Sequence, residues 1–238
     1  MSDEPAEHAN PDKVVLRTPL VEPGRSLTWE GKNVEVAAGA SCASLTVTNG
    51  TLKLSGRLDV GQVVLVRPTT QGAPDQGIRF SGATGSVGAV VVLGCLRDHG
   101  RIAQETQDLE IGSWYSRSDD PGTEDLVPGA PGNPHRDGIQ VISAFRVTIG
   151  TVDIVNAYPG STNGGIFVNP QSHDDPSDLI CDVVVGGGSI VFPNFAVHLG
   201  NCTRCGVRNA TLVGKRPFAT GDGTIDPLDE GNTKVASS

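Results

Sequence analysis

Gly138-Ile139-Gln140-Val141, Gly165-Ile166-Phe167-Val168 and Ala196-Val197-His198-Leu199 are three versions of one short apolar run, and the stretch 138–214 that holds them decides the fold. Each is followed by a second run ending in two aliphatics: Ile149 to Val155 (IGTVDIV), Val185 to Val191 (VGGGSIV) and Val207 to Val213 (VRNATLV). A unit of short strands repeated without helices is the pattern of a parallel β-solenoid. Aligning the runs sets Ile139, Ile166 and Val197 in one inward ladder, Val141, Val168 and Leu199 in a second, and Ile154, Ile190 and Leu212 in a third on another face. Each buried aliphatic contributes ~1.5–3 kcal/mol. A one-residue slip would expose the whole set, so the register is fixed. The same alignment places Gln140, Phe167 and His198 together on an outward ladder, a strip that suits burial against a partner subunit or contact with a sugar.

Working outward, the other segments fit the same scheme. Asn33 to Val66 alternates apolar and polar residues, as strands with one buried face do. Asn49-Gly50 marks a tight turn that suits a hairpin or a solenoid corner equally. Ala89 to Leu93 is a continuous aliphatic run, and residues 104–114 supply a further coil with Leu109 and Ile111 inward. Residues 115–134, rich in Gly, Pro and acid, and the shorter polar stretch 169–178 are insertions of the sort that leave a solenoid on one side. The reading is all-β: an extended arm over 1–26, a β-rich segment over 27–87, a parallel β-helix over 88–214 and a polar tail over 215–238. Residues 13–32 read as an extended lead-in.

Composition agrees. The 238 residues include 31 Gly and 16 Pro without a collagen period, and aromatics are only 4%, so Val, Ile, Leu, Ala and Thr must build the core. A net charge of -9 argues against nucleic-acid binding and against anionic membrane surfaces. Neither a signal peptide nor an apolar run of membrane-spanning length is visible. The five cysteines are odd in number and irregular in spacing, which argues against a disulfide framework. Cys202 and Cys205 form a C-x-x-C pair without the second pair a structural zinc site needs, and read as buried thiols at a corner.

The sharpest local motif is His135-Arg136-Asp137-Gly138, at the start of the first clear coil. These three side chains can do acid–base work or hold an anionic sugar. The surrounding PHRDGIQV resembles the H-x-D-G-I-Q segments of right-handed parallel β-helix proteins of the pectate-lyase-like superfamily, among them minor tail proteins of actinobacterial phages. It is also similar to the N-T-D-G-I segment of polygalacturonases, whose Asp is catalytic. The resemblance covers roughly residues 88–214. It departs from the enzymes: Gly164-Gly165-Ile166 stands where an acidic pair is expected, His198 lacks flanking glycines, and no R-x-K run follows.

The resemblance implies a virion component, a homotrimer that meets other tail proteins and a host-surface polysaccharide. A tail-borne polysaccharide lyase or hydrolase, with His135, Arg136 and Asp137 as catalytic residues, is the enzymatic alternative. A third reading is a carbohydrate-binding module using Gln140, Phe167 and His198, in a secreted or cytoplasmic protein. No cofactor is required by any of these. His173-Asp174-Asp175 has metal-capable chemistry, and Asp174 and Asp175 are the candidate Ca2+ ligands.

Overall fold

The computed structural model describes residues 13–70, 73–74, 77–95, 98–118, 137–156, 164–170 and 180–237. Among them there is no helix. In chain order, one sheet takes Lys13–Leu16, Leu20–Glu30, Asn33–Val36, Ala40–Thr48, Thr51–Val66, Ile78–Leu93, Gly100–Ala103, Thr106–Ser118, Ile139–Val141, Ala144–Asn156, Gly164–Val168, Ile180–Val185, Gly188–Val191, Phe195–Leu199, Gly206–Arg208, Ala210–Gly214, Arg216–Thr220, Leu228–Glu230 and Thr233–Ala236. Thr69–Thr70 and Ala73–Pro74 form a separate antiparallel pair.

Every pairing within the large sheet is parallel, and the pairings sort into three ladders that the chain visits in turn. Asn33–Val36 lies between Lys13–Leu16 and residues 51–54, and this first ladder continues through Ile78, Gly100, Ile139, Ile166, Val197 and Phe218. A second ladder runs through Val60, Val87, Ile111, Ile149, Val185 and Val207. A third runs through Val63, Val90, Trp114, Val152, Gly188 and Ala210. The chain therefore winds in circuits, each laying one segment on each face. Asn49-Gly50 is a corner between faces, since Ala40–Thr48 and the strand after it are parallel.

The inward ladders read from the sequence are those of the structure. Ile139 faces Ile166, which faces Val197, and Val141, Val168 and Leu199 follow beside them. Ile154, Ile190 and Leu212 stack on the third face. All nine are buried. Two segments differ from their sequence readings. Residues 13–32 supply the strands Lys13–Leu16 and Leu20–Glu30, where Pro23 and Gly24 sit in an irregularity between Glu22 and Ser26 and so remove no ladder hydrogen bond. Residues 216–236 supply three strands of a last circuit.

Two features hold the corners. Gly61, Gly88, Gly112, Gly150 and Gly186 stack one above another. A Cβ on each of the last four would lie 2.4–2.6 Å from the carbonyl oxygen of the glycine before it. Before the second ladder, Asp108, Arg146, Asp182, Arg204 and Asp226 all take left-handed backbone, with φ of 50°, 52°, 56°, 50° and 48°. That conformation disfavours ordinary side chains by roughly 1–2 kcal/mol each. Opposite charges alternate along this stack. Arg146 bonds Asp108 at 2.5 and 2.7 Å, and Arg204 bonds Asp182 at 2.7 and 2.8 Å.

Candidate functional site

The outward residues of the first ladder form a continuous row, because each is the middle residue of an apolar-x-apolar triplet whose flanks point inward. From one end it reads Glu35, Lys53, Arg79, Arg101, Gln140, Phe167 and His198. The structure thus brings Gln140, Phe167 and His198 together on adjacent strands, each partly exposed.

At the His198 end the row is aromatic. The Phe167 and His198 rings meet edge to face with centroids 4.8 Å apart, and Phe195 lies 5.1 Å from His198 at 32°. The Arg216 guanidinium stands 5.5 Å from the Phe195 ring centroid. Burial pushes the His198 imidazole below the usual histidine range, so it is neutral at pH 7. Its Nδ1 is buried and has no hydrogen-bond partner among the described residues, as is also true of Asn169 Oδ1.

Asp137 lies elsewhere, in a buried polar cluster between circuits. Its carboxylate is fully buried and accepts the Gly164 N–H at 3.0 Å. Its own N–H donates to Asp98 Oδ1 at 3.0 Å, and its carbonyl accepts the His99 N–H at 2.8 Å. His99 Nδ1 and Ser116 Oγ are 2.9 Å apart in the same interior. Asp137 thereby ties the strand at Ile139 to the neighbouring circuits on both sides. His135, Arg136, Asp174 and Asp175 lie outside the described residues. Among those described, no three His, Cys, Asp or Glu side chains are grouped to hold a metal ion.

All five cysteines are buried, and none is joined in a disulfide. The hydrogen bond with Cys202, together with burial, pushes the Cys205 thiol up, away from the thiolate that redox chemistry uses. Arg204 also donates to Cys181 Sγ at 3.2 Å.

The sequence reading missed the basic part of the row, Lys53, Arg79 and Arg101. The signal was present in Leu52-Lys53-Leu54, Ile78-Arg79-Phe80 and Gly100-Arg101-Ile102, which match Ile139-Gln140-Val141 once Gly100 is allowed an apolar place. That place is filled from across the core. A Cβ at Gly100 would stand 2.2 Å from the Trp114 ring, which is itself 1% exposed.

No protein-family model, curated protein or solved structure matches the chain. No helix among the described residues is long and apolar enough to cross a membrane.

Proposed function

We propose that the chain is a right-handed parallel β-helix serving as a recognition and assembly part of a virion, of the minor-tail or baseplate kind, and that the row Gln140–Phe167–His198 contacts glycan on a host surface. The observation that carries the glycan part is that row: an amide, a phenyl ring and a neutral imidazole in register on adjacent strands, half-buried and rigidly backed. Aromatic faces cover the apolar side of a sugar ring while the Gln140 amide meets its hydroxyls. The virion part and the homotrimer rest on the resemblance of residues 134–141.

A binding role is favoured over catalysis because the Asp137 carboxylate is buried and engaged with the Gly164 N–H, whereas glycoside hydrolysis needs two carboxyls flanking the scissile bond.

Glycan-array binding by the wild type and Phe167→Ala tests the strip. A loss of at least tenfold is expected, and unchanged binding would dismiss it. Saccharide cleavage that vanishes in Asp137→Asn would replace the binding reading with a depolymerase. For assembly, light scattering should give a trimer mass, and a monomer would count against it. Mass spectrometry of purified particles should find the chain.

A further inference from the structure

Charge normally alternates along the stacked ladders of this protein. On the first face Glu35 opposes Lys53 and meets Lys13 diagonally, with both ammonium groups 3.2 Å from the Glu35 carboxylate. Asp108, Arg146, Asp182 and Arg204 alternate at the corner, and Arg208 pairs with Glu230 at 3.1 Å. Among the described residues one run breaks the pattern: Lys53 faces Arg79, and Arg79 faces Arg101. Neighbouring strands are about 4.8 Å apart, and like charges directly opposite are destabilising. Lys53 has Glu35, but neither arginine has a carboxylate within ion-pair distance among the described residues, and the Asp98 carboxylate favours the Arg101 charge only from farther away. Arg101 is partly buried, and its Nε is buried without a hydrogen-bond partner.

These cations line a pocket of about 510 Å3. Its opposite rim is the turn Gln104-Glu105, two successive residues in left-handed backbone at φ 51° and 59°. The turn is fixed in place: Ser81 Oγ bonds Gln104 Oε1, and the Glu105 N–H donates to Ser143 Oγ at 3.2 Å.

We propose that Arg79 and Arg101 form an oxyanion site that holds the carboxylate, sulfate or phosphate group of an acidic glycan, with Lys53 adding charge and Gln104, Glu105 and Ser143 meeting the hydroxyls of the sugar. Two guanidinium forks on adjacent strands suit a planar or tetrahedral oxyanion, and an anion between them turns their repulsion into binding. Glu105 belongs on the hydroxyl side, since a carboxylate accepts hydrogen bonds from sugar but repels an anion. The glycan carrier rests on the reading of the strip, because the next residue along the row is Gln140 and the aromatics follow. A nucleic acid fits less well: three cations on a chain of net charge -9 neutralise few phosphates.

The test is calorimetric titration and thermal melting of the intact chain with sodium sulfate, sodium phosphate and sodium glucuronate, at constant ionic strength set with chloride. At least one anion is expected to bind saturably and raise the melting temperature. Preference for glucuronate assigns a carboxylate, and preference for sulfate or phosphate assigns an ester. Arg79→Gln/Arg101→Gln should weaken binding at least tenfold, and Arg101→Lys should fall between. In the absence of added anion, Arg101→Gln should melt no lower than the wild type, because a like-charge contact is relieved. Saturation by none of the three anions, or equal affinity in the double variant, overturns the proposal. So does tighter binding of a single-stranded oligonucleotide than of an acidic oligosaccharide. Sulfate and phosphate need no sugar contact, so their titration reads the arginine pair alone, while glycan-array binding by Phe167→Ala reads the strip, and the two sites fail or hold separately.

Discussion

A methyl group added at Gly112 has no room. It would stand 2.4 Å from the Gly88 carbonyl oxygen, an atom of backbone that is itself held in a ladder. Gly112→Ala should therefore cost about 1–3 kcal/mol, the usual range for overpacking a close-packed interior. A urea titration reads this directly. Gly187 provides the comparison, since its nearest backbone oxygen would be 3.4 Å from a new Cβ. Gly187→Ala should cost markedly less. At His198 the effect is one of protonation. Its folded pKa lies below the ordinary 6.5 because burial disfavours the cation. Between the folded value and 6.5 the unfolded chain binds more protons, so stability is complete above about pH 6.5 and declines as pH falls toward the folded value. His198→Gln should flatten this limb of the curve of melting temperature against pH.

At the scale of elements, the alternating stack of Asp108, Arg146, Asp182 and Arg204 sets one corner against the next. The Arg146 and Arg204 hydrogen bonds hold the Asp108 and Asp182 carboxyls below the ordinary 3.8. Such groups contribute above the unfolded pKa and lose that contribution as pH falls through the folded one. These pairs are exposed, so each is weak and screened by salt. Asp182→Asn should lower the melting temperature slightly at low ionic strength, and the difference from wild type should close in high salt. The inward triplets and their register were legible in the sequence because a period of two with aliphatics on one side admits a single alignment. The stacked corner charges and the glycine column were not, since their repeat appears only once circuits of unequal length are laid over each other. The strand at Leu20 was hidden by Pro23, which the structure accommodates in a bulge. Of the candidate site, Gln140, Phe167 and His198 could be placed together from the triplets alone. Lys53, Arg79 and Arg101 were lost because the alignment began at Gly138, and Gly100 masks its triplet by borrowing bulk from Trp114.

For the whole molecule, stacking makes each circuit the floor of the next, and stability is approximately a sum of circuit and interface contributions. Ile166 sits mid-stack, 3% exposed, between Ile139 and Val197. Replacing it with Asp removes ~1.5–3 kcal/mol of burial. It also strands a carboxylate in the interior, where desolvation costs several kcal/mol per ion. Against a total stability of ~5–15 kcal/mol for an ordinary domain, this loss is decisive. Ile166→Asp should lose the cooperative thermal transition and become sensitive to trypsin on both sides of the substitution. Phe167→Asp, one residue along and facing outward, should keep the transition. The pair isolates register from local tolerance, because neighbouring positions on one strand differ only in the face they present. A soluble Ile166→Asp protein melting like the wild type would mean that position 166 does not face the core, and the inward ladders would have to be redrawn one residue over.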